Sequence, residues 1–381
     1  MPANNHIPFN KPFLTGKEIE YLSEVLHSRK ISGDGSFTQK CHRFFEKKYS
    51  FKKVLLTTSC TDALELAALL MDIQPGDEII APSYTFVSTV NPFILRGAKI
   101  IFADSESATP NLDASKIESL ITKKTRAIVP VHYGGVACDM DTIMKLADKY
   151  KLLVIEDAAQ AIDSFYKGKP LGSIGHMAAF SFHETKNIVS GEGGLLVVND
   201  DRFIKRAEII REKGTNRSAF FRGEVDKYGW VEPGSSFLPS EMIAAFLYAQ
   251  LEHIDPIQQK RKAIWNTYYD GLKSLEEKGF VKLPLIHDYA FNNAHVFYMV
   301  CKNMDQRTAL IDHLKAENIY PVFHYLSLHK SEYYAKQYKG KDLPNADRYT
   351  DCLLRLPFYV ELSDDDLQRI ISKIKKFYEA L

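Results

Sequence analysis

Unbroken apolar runs recur at short intervals between residues 53 and 200, and they constrain this chain's fold more than any other feature. The segments 53–56, 77–81, 98–103, 126–131 and 152–155 are dominated by Val, Ile, Leu and Ala, with helix-length sequence between each and the next. A strand with one face in water alternates apolar and polar residues. Continuous runs instead mark strands covered on both faces, as in mostly parallel sheets. Right-handed crossovers then put helices on both sides. The first of these helix patterns runs through Ala63, Leu66, Ala67 and Leu70. The expected fold class is α/β.

After a last run at 195–198 the character changes. Segments 202–211 and 242–254 have helical spacing, and a polar stretch, 214–239, lies between them. It carries Asn216, Arg217, Arg222, Lys227, Tyr228 and Trp230 and is too long for idle connection. Pro256 opens a helix pattern over 257–276. A strand at 296–300, a helix at 307–317, a strand at 320–324 and two terminal helices follow. A length of 381 residues exceeds what one core usually serves. The reading is therefore a large α/β domain over 1–254 and a smaller α+β domain over 255–381.

Charge narrows the partners. With 49 basic and 48 acidic residues and no basic block, neither nucleic acid nor an anionic membrane is expected. No apolar run approaches the roughly 18–20 residues of a membrane span. The N-terminus lacks a basic-then-apolar signal pattern. Cys41, Cys60, Cys138, Cys301 and Cys352 are scattered, odd in number and never spaced as a metal or redox pair. They read as reduced thiols, so a cytoplasmic protein without a metal is expected.

Three pieces carry chemistry. In Leu152-Leu153-Val154-Ile155-Glu156-Asp157-Ala158-Ala159-Gln160 an apolar strand ends in an acid, where open α/β sheets bind ligands. Asp157 there can hold a pyridine nitrogen protonated or merely cap a helix. In Phe180-Ser181-Phe182-His183-Glu184-Thr185-Lys186-Asn187 a β run leads to one lysine, followed by the glycine-rich 190–194 turn. Lys186 reads as a carbonyl-binding amine or as a surface lysine before a hairpin. Thr57-Thr58-Ser59-Cys60-Thr61 is a hydroxyl-rich strand-to-helix junction, suited to an anion or to plain capping.

Together, in this order and spacing, the pieces resemble the sugar-nucleotide aminotransferases of the DegT/DnrJ/EryC1/StrS family, which are fold-type-I pyridoxal-phosphate enzymes. The resemblance extends from Ile7-Pro8-Phe9-Asn10 to Leu356-Pro357-Phe358 and includes the blocks 33–38, 131–138, 211–217 and 322–325. It implies a seven-stranded-type sheet in the large domain and pyridoxal 5′-phosphate as cofactor. By its motifs Lys186 is the catalytic residue that carries the cofactor, Asp157 partners the pyridine nitrogen and Gln160 approaches the ring hydroxyl. Ser181, with Ser59, Cys60 and Thr61, holds the phosphate, and Phe86 covers one ring face. A homodimer with shared active sites and glutamate as amino donor are implied as well.

The implied substrate is a nucleotide-linked keto sugar, with amino transfer to C4 of dTDP-4-keto-6-deoxyglucose placed ahead of transfer at C3 of a 3-keto isomer. Sugar dehydratases of the same fold carry histidine in place of the lysine, so Lys186 argues against that activity. Candidate substrate contacts are Asn187, Asn216 with Arg217, Lys227 with Tyr228, and His324 with Tyr325 and His329. One departure stands out: where many members place an asparagine that reaches the partner subunit's cofactor phosphate, this chain has Leu238.

Overall fold

The structure is a computed structural model and describes residues 6–380. The signal-pattern reading of residues 1–5 and the final position of the smaller domain lie outside the described residues. Strands β1 (Val54–Thr57), β2 (Glu78–Pro82), β3 (Lys99–Ala103), β4 (Thr125–Ile128), β5 (Leu153–Asp157), β6 (Met177–Ser181) and β7 (Gly194–Val198) form one seven-stranded sheet. Its order is β1-β7-β6-β5-β4-β2-β3. Only β7 runs against its neighbours.

The unbroken apolar runs follow from two cores, one on each face. Leu56, Ile80, Ile128, Val154, Ala178 and Leu195 belong to one. Leu55, Ile79, Ala127, Ile155, Ala179 and Leu196 belong to the other. Successive side chains point to opposite faces, so burial on both sides demands an apolar residue at every position.

Helix α1 (Glu18–Ser28), α2 (Ser36–Tyr49) and α4 (Met140–Tyr150) cover the first face, while α3 (Cys60–Leu70) and α5 (Asp201–Arg211) cover the second. Helices α1 and α2 precede residue 53, where the sequence patterns predict none. The single helix expected over 242–254 is instead α6 (Glu241–Leu251), followed by α7 (Ile254–Glu277). Pro256 lies within the first turn of α7, where its missing N–H is not needed.

Helix α2 is preceded by Gly35 at its N-cap, which has no capping side chain. The buried Glu241 carboxylate takes that role from another helix, accepting the Gly35, Phe37 and Thr38 N–H groups at 3.0, 2.8 and 3.1 Å and the Thr38 hydroxyl. A Cβ on Gly35 would stand 2.5 Å from that carboxyl carbon, which explains the glycine. Glu241→Ala should therefore lower stability by about 3 kcal/mol, since it strands several buried donors. Chemical denaturation measures this. A loss below about 0.5 kcal/mol, the range of an ordinary surface change, would show that water replaces the carboxylate.

The second half adds a small antiparallel sheet, β8 (Tyr298–Val300), β10 (Leu353–Arg355) and β9 (Val322–Phe323) in that order. Helices α8 (Met304–Ala316), α9 (Pro344–Cys352) and α10 (Asp364–Glu379) accompany it. The strands expected at 296–300 and 320–324 are shortened to three and two residues. A third core gathers side chains between Ile264 and Tyr378, together with Ile7. Ile7 bonds Asn318 and Tyr320, and Phe358 N–H donates to the Phe9 carbonyl at 2.9 Å. We propose the division at 254/255 with one change: residues 7–9 pack with the smaller unit. No helix among the described residues is long and apolar enough to cross a membrane.

Candidate active site

The carboxyl ends of the parallel strands converge on a cavity of about 950 Å³. Ser59, Cys60 and Thr61 follow β1, Thr85 and Phe86 follow β2, Asp157 ends β5, and Ser181 to Lys186 close β6. His324, Tyr325 and Arg355 enter from the small sheet. Every residue assigned to the cofactor from sequence lines this cavity: Ser59, Cys60, Thr61, Phe86, Asp157, Gln160, Ser181 and Lys186.

Ser59 caps α3, its hydroxyl accepting the Asp62 N–H at 3.0 Å. Capping occupies the side chain but leaves Cys60 and Thr61 at the first two helical positions, where N–H groups have no carbonyl within the helix. Capping and anion binding are therefore compatible here. Strand β7 passes so close that a Cβ on Gly194 would lie 2.2 Å from the Ser59 carbonyl oxygen. Only glycine permits that approach.

Asp157 is buried. Its carboxylate accepts the Thr89 hydroxyl at 2.7 Å and the Ala159 N–H at 3.2 Å. Burial raises its pKa above the ordinary carboxylate value, against the pull of Thr89, Ala159 and the Lys186 charge. Lys186 lies in the same cavity. It is half-buried there, and burial lowers the ammonium's pKa. Arg355 adds to the lowering, while Cys60 and Asp157 oppose it. A less protonated amine is a better nucleophile.

Behind Asp157, the fully buried Glu156 accepts the His132 ring N–H at 3.0 Å and the Gly172, Ile174 and Gly175 N–H groups at 2.8, 2.9 and 2.7 Å. Burial alone would raise its pKa, but His132 and the Gly175 and Gly172 amides more than offset that. Four hydrogen bonds thus anchor the end of β5. Gln160 spans the cavity wall, accepting the Gly134 N–H at 2.7 Å and donating to the Tyr325 hydroxyl at 2.8 Å. Phe86 is 56% exposed at the cavity, with its ring 6.1 Å from that of Tyr325, and so is no core residue.

The substrate candidates divide. His324 and Tyr325 are in the cavity, stacked on each other at 3.6 Å, with His324 Nδ1 2.6 Å from the Tyr133 hydroxyl. His329 is tied to Ser83 at 2.7 Å and does not line it. Asn187 points away into a buried network, donating to Gln258 at 2.8 Å and to the Asn293 carbonyl at 2.9 Å, while its oxygen stands 2.8 Å from His295 Nδ1. Its hydrogen-bonding groups are all engaged, so the structure does not bring it to a ligand.

Asn216, Arg217, Lys227 and Tyr228 also lie off this cavity. Arg217 pairs with Glu212 at 3.2 Å and rests on the Phe221 and Tyr228 rings. Leu238 packs at Gly33, where a Cβ would come within 2.6 Å of its side chain. Sequence reasoning missed Thr89, His295 and Arg355, all of which line the cavity. The signal for Arg355 was a charge inside the apolar run Leu353-Leu354-Arg355-Leu356.

These donors fit pyridoxal phosphate. A buried carboxylate lacking full compensation suits a protonated pyridine nitrogen, the α3 N-terminus with Ser181 suits a phosphate, and Lys186 suits the carbonyl.

Residues 12–375 match the DegT/DnrJ/EryC1/StrS aminotransferase family. The spore coat polysaccharide biosynthesis protein SpsC of Bacillus subtilis is 35% identical, over 98% of this chain and 97% of its own. The putative sugar aminotransferase Spr1654 of Streptococcus pneumoniae superposes with a TM-score of 0.91 at 25% identity, covering 98% of this chain and 99% of that one. It has been solved in pyridoxamine-phosphate and pyridoxal-phosphate forms. An aminotransferase from Psychrobacter cryohalolentis gives 0.92 at 27% identity, with the same coverage. The chain belongs to the DegT/DnrJ/EryC1/StrS aminotransferase family and is a pyridoxal-phosphate-dependent sugar aminotransferase.

Proposed function

We propose that the enzyme moves the amino group of L-glutamate to C4 of dTDP-4-keto-6-deoxyglucose, giving dTDP-4-amino-4,6-dideoxygalactose and 2-oxoglutarate. The observation that carries amino transfer is that Lys186 and Asp157 line one cavity, with the α3 N-terminus on its wall. The volume, about 950 Å³, is at the upper end of ligand-sized pockets and leaves room for a second reactant. The choice of C4 and of the dTDP sugar rests on the likeness of blocks 33–38, 131–138, 211–217 and 322–325 to the transaminase that makes this amino sugar.

Pyridoxal phosphate, when bound, supplies an electron sink for charge developing at the donor's Cα. Lys186 Nζ holds the cofactor at rest and then takes the proton from the donor's Cα. Asp157 keeps a positive charge at the pyridine nitrogen, and the Glu156–His132 pair keeps Asp157 in place. Ser181 and the α3 N-terminus anchor the phosphate, with Gln160 at the ring hydroxyl and Phe86 over the ring. His324 and Tyr325 contact the sugar. Incubation with glutamate and a panel of dTDP- and UDP-keto sugars, read by NMR, should yield the 4-amino dTDP sugar. A 3-amino product, or preference for a UDP sugar, would overturn the substrate assignment.

The working unit in this reading is a homodimer, in which Asn216, Arg217, Lys227 and Tyr228 serve the partner's cavity. Their distance from their own cavity supports this, as do Phe221 and Trp230, which are 69% and 78% exposed beside them. Mixing Lys186→Ala chains with Arg217→Ala chains under exchange tests it at low sugar-nucleotide concentration. Random pairing in a twofold dimer should restore about a quarter of wild-type activity, because one hybrid site regains both residues. No recovery would place Arg217 in its own subunit's chemistry or outside the site altogether.

A further inference from the structure

We infer that His295 accepts a hydrogen bond from a hydroxyl of the sugar inside the Lys186 cavity, and that Asn187 is the positioning residue that fixes it as an acceptor. This rests on the amino-transfer reading above and deepens it.

His295 is buried except where it lines the cavity, and its Nδ1 stands 2.8 Å from Asn187 Oδ1. The other end of the amide settles the direction of that bond. Asn187 Nδ2 donates to the Asn293 backbone carbonyl at 2.9 Å and to Gln258 Oε1 at 2.8 Å. A backbone carbonyl only accepts, so the amide nitrogen must face it and the amide oxygen must face His295. An amide oxygen cannot donate either, so the proton sits on Nδ1. Burial and the charges of Lys186, Arg261 and Arg355 hold the ring's pKa well below its ordinary value. The imidazole is therefore neutral, and Nε2 offers only a lone pair. Among the described residues Nε2 makes no hydrogen bond. Asn187 follows Lys186 directly in sequence, so one short segment carries both the amine and the group that sets the imidazole's tautomer.

The class of partner follows from this state. A lone pair takes a hydroxyl or an ammonium. Three cations already act on His295, which disfavours a fourth and selects a neutral O–H. Of the two reactants, the sugar is the one rich in hydroxyls. Its reacting carbon must reach Lys186, so the hydroxyls on adjoining carbons come closest. In the 4-keto-6-deoxy sugar named above, C5 bears the ring oxygen and the methyl group, and C3 alone bears a hydroxyl. The 3-hydroxyl is the group assigned to Nε2.

The test has two arms, both on holoenzyme. In the first, NMR of isotope-labelled histidine reads the tautomer of His295, assigned by the signal lost in His295→Phe. The expected state at neutral pH is the neutral ring protonated at Nδ1, and Asn187→Leu should abolish that preference. Both variants should keep the visible absorption of lysine-bound cofactor, which shows that they fold. In the second arm, wild type should favour the 4-keto sugar over its 3-deoxy analogue by about tenfold in kcat/KM, as expected when a buried acceptor is left unpaired. His295→Phe should lose that preference. A ring protonated at Nε2 or at both nitrogens overturns the proposal. So does equal use of the two sugars by wild type, or an undiminished preference in His295→Phe. Turnover of neither sugar would instead refute the substrate named above, while the tautomer would still decide whether His295 is an acceptor.

Discussion

Lys186→Ala should abolish turnover and remove the visible absorption of lysine-bound cofactor, while leaving the fold intact. Among the described residues no side chain depends on the Lys186 amine for a hydrogen bond, and the amine lines a cavity, so its removal leaves no unsatisfied partner. What disappears is the amine whose pKa burial has lowered. No neighbour replaces it. His183 is held by Thr185 at 2.9 Å, and His295 by Asn187 at 2.8 Å. A positioned proton-transfer group contributes roughly 10²–10⁴-fold, and the covalent role comes on top of that. Activity within about tenfold of wild type would mean that another group bears the chemistry. Absorption spectroscopy and steady-state rates decide it.

Asp157→Asn comes second in size. The substitution keeps shape and the acceptor for Thr89 but removes the charge. A buried carboxylate with a raised pKa is short of positive charge, which a protonated pyridine nitrogen would supply. Removing one partner of a buried pair costs about 3–5 kcal/mol, so turnover should fall by roughly 10²- to 10⁴-fold. Cofactor affinity should fall as well. A near-normal rate in Asp157→Asn would reduce the residue to a structural role in the turn after β5, where it already accepts the Ala159 N–H.

Much of this was legible in the sequence because the large sheet imposes a simple rule. Burial on both faces forces continuous apolar runs, and these marked β1 to β5 and β7 directly. The residues that the family resemblance assigns to the cofactor share one cavity because several of them sit just after those runs. Helix α2 was missed although Phe37, Cys41, Phe45 and Tyr49 recur at helical spacing and are buried. Its many intervening charges hid the stripe. Its cap is Glu241, two hundred residues away, and no local pattern announces such a partner.

Asn187 is expected among the substrate contacts, yet its side chain is engaged by Gln258, Asn293 and His295, partners that no local sequence pattern announces. Arg355 and His295 come from the second half of the chain and reach the site only through tertiary packing. Spacing within the motifs could not find them. Asn216, Arg217, Lys227 and Tyr228 lie off their own cavity, which is the placement behind the dimer proposed above.

The most direct test of the central claim is chemical. Borohydride reduction of the purified holoenzyme fixes the cofactor to the lysine that holds it, and peptide mass spectrometry then locates the adduct. The expected result is one phosphopyridoxyl group per chain, on Lys186 in the peptide that contains Thr185 and Asn187. An adduct on any other lysine, or none at all, would contradict the account.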